Sequence, residues 1–555
     1  MDRPPEYKKW TKEALIRKIQ ILETAAQARS DPNAANSSSI QKQATGGDES
    51  PPPREAKKKP DKKIDPSKFS TRLVAFKLAY IGKNYGGFEF QVSAQLPTIE
   101  EELWKALVRA CLIFPENPDE VKWEEWEYSK CGRTDRGVSA FGQVIGIKVR
   151  SNRPLPKKPV EETKPDGGAT SASENEMGMA VEKESDIQLV EEKPFDDFSD
   201  EIQYCRVLNR LLPPDIRMLA WCPTTPAEFS ARHHCRERQY RYFFTQPAYS
   251  PIPRGLENPK ASSAVKDGWL DVDAMRQAAK KFEGTHDFRN FCKIDPGKLI
   301  TNFNRNIFEC DVVQVKDVET AMPYLGKDEF RPANMAANTE PFPKVYYFHV
   351  RGSAFLWHQI RCMVAIIFMV GQGLEAPSII DELLDHEKQP QRPNYTLASE
   401  YPLVLWDCIF PNLEATEDNE RINSIDWAYM GEDSPLNQHG ATGLVDQMWG
   451  YWRERKIDEI LSGQLLNIVT AQADISLRRD RKAPEFAPLS QRTFEGGNRE
   501  RLVGKYQSVL KKAKLAAPED TYDKEARRKG YANANEWREA RAKKHEAAME
   551  AIEDS

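Results

Sequence analysis

Residues Gly132 to Ser139 read Gly-Arg-Thr-Asp-Arg-Gly-Val-Ser, and they restrict the fold more than any other stretch of this chain. An aspartate, Asp135, stands between two arginines and is bracketed by Gly132 and Gly137, as a tight bend requires. The chain then runs into Gln143-Val144-Ile145-Gly146-Ile147-Lys148-Val149, where Ile145, Ile147 and Val149 recur with period two. That spacing predicts a strand with one apolar face. Asp135 is therefore expected on the rim of a sheet, beside fixed positive charge. A carboxylate serving only solubility tolerates almost any neighbour, so the bend suggests a site; a structural aspartate in a glycine-rich turn is the alternative that the octapeptide alone leaves open.

The rest of the chain alternates between patterned and unpatterned stretches. Residues 9 to 27 predict a short amphipathic helix, with Thr11 as N-cap and Leu15, Ile19 and Leu22 on one stripe. Residues 28 to 69 are polar and proline-containing and are expected to be disordered. From Thr71, the alternation of Val74, Phe76, Leu78 and Tyr80 predicts a strand, followed by a turn at Lys83-Asn84-Tyr85-Gly86-Gly87. Thr98 with Glu101 marks a helix start through Leu103, Leu107 and Ala110. A low-complexity acidic stretch, about 152–195, reads as an insertion looped out of a domain. Strands are expected at 215–221, 238–244, 344–351 and 403–408, and helices at 272–282 and 356–371. Such alternation implies an α+β sheet with helices on one face. The resulting division is 1–70, helix and disordered basic linker; 71–220 and 221–410, two parts of the patterned body; 411–555, a charged, partly helical extension whose tail from Asp520 is expected to be an exposed helix or disordered.

The formal charge is only −5, but the signs are segregated. Arg232, Arg236, Arg238 and Arg241 crowd one segment against Glu237, while 161 to 201 is acidic. A local basic surface of this kind binds a polyanion although the total is negative. The 9 cysteines are scattered singly, with no C-x-x-C spacing, which implies reduced thiols in an intracellular compartment. His233-His234-Cys235 is rejected as a metal site, because neighbours on a strand face opposite ways and no other Cys or His cluster completes it. The start of the chain has no apolar signal segment, and the longest apolar run, Cys362 to Val370, is about half a membrane span. No membrane association is expected.

Five further segments place residues suited to a nucleotide site: Tyr80 to Phe88; Leu208 to Ile216; Phe229-Ser230-Ala231-Arg232 with Arg238-Gln239-Tyr240-Arg241-Tyr242; Glu283 to Phe288 with Phe291; and Ala354-Phe355-Leu356-Trp357-His358-Gln359-Ile360-Arg361. Together with the Asp135 loop, in this order and spacing over about residues 71 to 410, they resemble the blocks of the TruA-type tRNA pseudouridine synthases. Arg136 and Ser139 stand where many bacterial members carry Ala and His, which indicates a eukaryotic branch. The Lys9 to Ile16 helix and the Phe486 to Arg492 segment resemble the branch acting at tRNA positions 38 and 39.

The resemblance implies the pseudouridine synthase fold, two sheet-bearing halves around a basic RNA-binding cleft, and isomerisation of uridine without metal or cofactor. It implies tRNA as partner and a homodimer. It makes Asp135 the catalytic aspartate, attacking either ribose C1′ or the uracil ring, and Arg361 the arginine that pairs with it. Tyr240 is implied to stack on the target base and assist the proton step, and Arg133 to enter the space the extruded base leaves. Lys83, Asn84, Tyr85, Arg232 and Arg238 are expected to contact the RNA. His358 and His286 read as structural. The basic run Lys57 to Lys63 reads as a nuclear import signal or a solvated linker, so nucleus and cytoplasm are both expected. The rivals are a non-catalytic tRNA-binding or chaperone protein of the same fold, a TruA-type enzyme acting at other tRNA positions, and an aspartic hydrolase. The last needs paired carboxylates, and no second loop of this kind is present.

Overall fold

The computed structural model describes residues 65–155, 194–250, 258–260, 265–316, 343–411, 425–441, 443–471, 486–489, 492–498 and 502–553. The expected helix over 9–27, the basic run and most of the 152–195 insertion lie outside these residues.

β1 (Ser70–Tyr80) and β3 (Ser139–Ser151) pair antiparallel, from Ser70↔Ser151 to Tyr80↔Ala140. The expected alternation holds: Val74, Phe76, Leu78 and Tyr80 are buried, in one cluster with Leu103, Trp104 and Leu107 of α1 (Ile99–Arg109). Thr98 caps that helix, its hydroxyl accepting from the Glu101 N–H at 3.2 Å.

The strands form one mixed sheet. The others are β2 (Ser129–Lys130), β4 (Ile216–Trp221), β5 (Glu237–Gln246), β6 (Gly284–Asp287), β7 (Asn304–Gln314), β8 (Lys344–Gly352), β9 (Leu403–Ile409) and β10 (Ala428–Tyr429). Their order is β10-β4-β1-β3-β9-β5-β8-β7-β6, with β2 on β3. Neighbours are antiparallel except β3 and β9, where Ser139↔Val404 and Ala140↔Leu405 run parallel. Leu405 also pairs with Tyr240 on β5, and Tyr240 with Val350 on β8. The row Ala140–Leu405–Tyr240–Val350 thus crosses the sheet just beyond the Asp135 loop, uniting segments far apart in sequence.

One apolar cluster lies around β1, β3, β4, α1 and α2 (Tyr204–Asn209); another surrounds β5, β7, β8, α3 (Val272–Lys280), α4 (Gln359–Gly371) and α5 (Ile379–Leu384). Tyr240 touches both. In α4, Cys362 through Val370 are all buried, which explains a helix without a polar face. α4 begins at Gln359, later than the apolar pattern suggests, because His358 takes the left-handed conformation at φ 61°.

β6, β7 and α5 occupy stretches where no element was expected. In β7 a register shift between Ile307 and Glu309 moves the buried positions to Ile307, Cys310 and Val312, so strict period two is lost. The tail beyond Asp520 is helical, one of the two expected readings, but it is not wholly exposed. α8 (Pro518–Arg528) and α9 (Ala534–Glu553) bury Tyr522, Ala526 and Trp537 against Leu299, since their aromatic and alanine positions form an apolar face. Phe494 and Val509 join the cluster around α4, and the Tyr242 hydroxyl donates to the Glu495 carbonyl at 3.0 Å. α6 (Pro435–His439) and α7 (Leu444–Ala471) complete the described helices.

A buried carboxylate closes the β3 end of the sheet. Glu201, 3% exposed, accepts from the Ser151 hydroxyl at 2.6 Å, the Asn152 N–H at 2.8 Å and the Ile202 N–H at 2.9 Å, and pairs with Arg72 at 3.2 Å. Burial alone would raise its pKa, but these donors outweigh it and hold the carboxyl below its ordinary value. Its stabilisation is therefore present above the unfolded pKa and lost as pH falls through the lower folded one. Glu201→Gln is expected to cost about 1–3 kcal/mol at pH 7 and to melt with less dependence on pH below about 4.3. Thermal melts of both proteins from pH 7 to 3 check this; parallel curves would contradict it.

Candidate active site

Packing on every side fixes the Asp135 loop. Gly87, at φ +121°, brings its backbone so close that a Cβ there would lie 3.0 Å from the Thr134 carbonyl and 3.3 Å from the Asp135 carbonyl carbon. The Phe88 N–H donates to the Thr134 carbonyl at 3.1 Å, and the Tyr80 hydroxyl lies 2.7 Å from the Thr134 hydroxyl. The Gly82 N–H donates to the Ser139 hydroxyl at 3.0 Å, and the Gln143 amide closes the loop neck through both polar groups of Gly132. Gly137, at φ +79°, donates to the Tyr85 carbonyl at 3.3 Å.

The Asp135 carboxylate itself is half-buried, its side chain 29% exposed. Oδ1 accepts from the Trp357 indole N–H at 3.1 Å, and Oδ2 faces His358 Nε2 at 3.4 Å. Burial pushes its pKa up, while the Trp357 bond and the charges of Arg361, Lys293 and Lys298 pull it back only partly. Lys293 lies over the Trp357 ring at 4.3 Å from its centre, and its backbone N–H donates to the Trp357 carbonyl at 2.9 Å.

Arg361 does not make the expected direct pair. Its Nε donates to the Ala398 carbonyl at 2.7 Å and its Nη2 to Glu400 at 2.8 Å, because Glu400 stands between it and Gly137. It acts on Asp135 through its field. Tyr240 is half-buried, edge-on to Phe355 at 5.2 Å, and burial raises its hydroxyl well above the ordinary tyrosine range. Tyr242 is buried against Phe368, and Arg241 lies on the opposite face over Trp406 at 3.7 Å.

The expected RNA contacts divide. Lys83 and Asn84 are exposed, with the Lys83 ammonium 5.3 Å from the Tyr401 ring centre. Arg232 is exposed. Arg133 is 52% exposed and pairs with Glu89 at 3.1 Å. Tyr85 is corrected to a core residue, 5% exposed, its hydroxyl donating to Asp215 at 2.6 Å. Arg238 is corrected to an internal clamp. Its guanidinium donates to the carbonyls of Cys131, Arg232, Cys235 and Ser353. Those carbonyls converge where the Asp135 loop, the β5 entry and the turn after β8 meet, so the charge satisfies backbone rather than phosphate. The His286 ring lies 2.8 Å from the Glu283 carbonyl.

Trp357, His358, Lys293, Lys298 and Glu400 were not assigned to the site from sequence. Trp357 and His358 stood inside a recognised block, but nothing local shows which distant group they face. The expectation that no other cysteine joins Cys235 is also overturned. Cys131, Cys235 and Cys408, each buried, bring their sulfurs within 4.8 Å of one another. They come from the loop after β2, the entry to β5 and β9, so only the folded sheet unites them. Three thiols are one ligand short of the usual four-coordinate structural zinc set.

A model of the tRNA pseudouridine synthase family matches residues 278–411. The chain belongs to that family. Within it, a tRNA pseudouridine(38/39) synthase from Bos taurus is 38% identical over 408 residues, covering 74% of this chain and 68% of the relative. The tRNA pseudouridine(38/39) synthase of Saccharomyces cerevisiae is 36% identical over 412 residues, covering 74% and 73%. A tRNA pseudouridine synthase A from Methanothrix thermoacetophila is 27% identical over 348 residues, covering 62% and 86%. Among the described residues no helix is long and apolar enough to cross a membrane.

Proposed function

We propose that this protein isomerises uridine to pseudouridine at positions 38 and 39 of the tRNA anticodon arm, with Asp135 as nucleophile. The observation that carries the reading is the half-buried Asp135 carboxylate, held by Trp357 at 3.1 Å on a glycine-shaped loop that leads into the strand row containing Tyr240. The reaction breaks the bond between uracil N1 and ribose C1′ and forms one between C5 and C1′. C5 loses a proton and N1 gains one, so nothing is oxidised and no group leaves. Attack on C1′ and attack on the uracil ring both need an ionised carboxylate.

Burial disfavours that charge, and the Trp357 N–H together with the fields of Arg361, Lys293 and Lys298 opposes the penalty. Tyr240, kept protonated by burial, offers a ring face to the extruded base and a hydroxyl that donates. Base–aromatic stacking is worth roughly 1–3 kcal/mol, which offsets part of the cost of unstacking the base from RNA. The exposed Arg133, at the loop tip, is suited to fill the space the base leaves. Lys83, Asn84 and Arg232 are suited to the RNA backbone, lining a basic cleft between two sheet-bearing halves. The family resemblance supports a homodimer, and the run Lys57 to Lys63 supports a nuclear as well as a cytoplasmic location.

Position-resolved mapping of pseudouridine on total tRNA from cells with and without the protein tests the assignment. Loss of signal confined to positions 38 and 39 is expected; loss elsewhere would place the enzyme at other tRNA positions. Arg133→Ala is expected to impair turnover while leaving the slope of log K against log salt unchanged, because the side chain fills the space the base leaves. Binding titrations at several salt concentrations, beside turnover, measure this. A slope reduced by about 0.7–0.9, one phosphate's worth, would instead make Arg133 a backbone contact.

A further inference from the structure

We propose that His358 is a positioning residue for the Asp135 carboxylate: with Trp357 it supplies one neutral donor to each carboxylate oxygen. The inference rests on the reading of Asp135 as nucleophile. Trp357 Nε1 lies 3.1 Å from Oδ1 and His358 Nε2 lies 3.4 Å from Oδ2. The second is a close polar contact that is not aligned as a formed hydrogen bond in this structure; catalytic contacts are often long or poorly aligned before substrate is bound.

Three further features point the same way. His358 holds φ 61° and ψ 10°, a left-handed conformation that costs an L-residue energy and persists where the surroundings impose it. Continuing α4 one turn earlier would relieve that backbone. The ring is enclosed, with its side chain 12% exposed and 4.9 Å from the Trp357 ring centre. Its Nδ1 is buried without a hydrogen-bond partner. These facts favour one tautomer. A hydrogen on Nδ1 would leave a buried N–H unbonded and turn the Nε2 lone pair toward the carboxylate, so the hydrogen belongs on Nε2.

The imidazole is neutral at physiological pH. Burial and the nearby charges of Arg361, Lys293 and Arg392 lower its pKa to about 4. A cation in contact would hold the carboxylate's charge where it is; a neutral N–H fixes the oxygen and leaves the charge available for attack. The direct cation expected there, Arg361, is bound to Glu400 at 2.8 Å instead.

His358→Gly and His358→Gln, with Asp135→Asn beside them, test the proposal on full-length protein and a tRNA carrying uridine at position 39. Glycine relieves the left-handed turn and deletes the ring, so it separates backbone from side chain. It is expected to lower kcat by about 10- to 100-fold, as loss of one charge-assisted hydrogen bond does. KM for tRNA should stay within about threefold, because the loss falls on the chemical step. The acid limb of kcat against pH should move to higher pH, since the ionised carboxylate has lost a donor. Lys293, Lys298, Arg361, Arg392 and Glu400, the other charged groups facing the pair, are unchanged in both variants.

A glutamine side chain carries an amide N–H to similar reach, so His358→Gln should recover most of the rate and return the acid limb toward its original position. A glycine variant with normal kcat and an unmoved acid limb overturns the proposal, leaving His358 a turn residue. So does a glutamine variant as impaired as glycine while melting like the wild type. If the glycine variant does not fold, the glutamine rate and acid limb decide alone. Product from Asp135→Asn would overturn the nucleophile reading itself, whereas an inactive Asp135→Asn with a fully active His358→Gly would overturn this inference only.

Discussion

Asp135→Asn is expected to bind tRNA as well as the unmodified protein and to form pseudouridine at least ~10⁴-fold more slowly, as removal of a nucleophile does. The substitution keeps the side chain's shape, and its oxygen still accepts from Trp357 Nε1, which lies 3.1 Å from Oδ1. The loop, wired through Gly82, Gly87, Thr134 and Gln143, should not move. What is lost is a negative oxygen. A carboxamide is a poor nucleophile, and the field of Arg361, Lys293 and Lys298 then has no charge to stabilise. Chemical mapping of pseudouridine in the anticodon arm after single-turnover incubation reads the result. Equal product from both proteins would end the catalytic reading of this loop. Product from neither, with both binding tRNA, would favour a binding protein of the same fold. The same chemistry fixes the pH dependence. Because burial raises the Asp135 pKa, activity should fall with decreasing pH sooner than an ordinary aspartate would make it.

Arg238→Ala should act through stability. The side chain donates to Cys131 O at 3.1 and 3.3 Å, Ser353 O at 2.7 Å, and Cys235 O and Arg232 O at 3.3 Å. Truncation strands these carbonyls at the junction of the Asp135 loop with the turn that leads to Trp357. The expected cost is about 1.5–3 kcal/mol, the range for losing hydrogen bonds made by a charged group and stranding their acceptors. A lowered melting temperature, by about 2–4 °C for each kcal/mol in a large domain, would report it. Turnover should fall as well, because Asp135 and Trp357 lose their common anchor. Arg232→Ala, by contrast, should leave the melt unchanged and weaken tRNA binding in a salt-dependent way. If Arg238→Ala melts normally while its salt dependence flattens, the clamp interpretation fails and Arg238 contacts phosphate after all.

Particular elements show why some features were legible before folding. β1 follows from the alternation of Val74, Phe76, Leu78 and Tyr80, and α1 from the Thr98 cap and its apolar spacing, because both signals lie within one element. The opposition of Tyr240 and Tyr242 to Arg241 follows from strand geometry alone. β7 was hidden because its bulge breaks that same periodicity. The α8–α9 tail reads as polar because its buried positions, Tyr522, Ala526 and Trp537, are thinly spread along charged helices. No local pattern shows that Leu299 waits to receive them.

By itself the sequence determined the chemistry on offer: a glycine-bracketed aspartate at the edge of a strand, an aromatic strand face, an apolar helix bearing Arg361. These depend on covalent identity, turn geometry and short periodicities, which act over a few residues. Only the tertiary structure decided what each group meets. Arg361 binds Glu400, Arg238 closes on backbone carbonyls, three cysteines converge, and the carboxylate of Asp135 lies between Trp357 and His358, more than two hundred residues away along the chain. Such partnerships come from strand order and packing between remote segments, and hydrogen bonds and charges act through space, where sequence separation carries no weight.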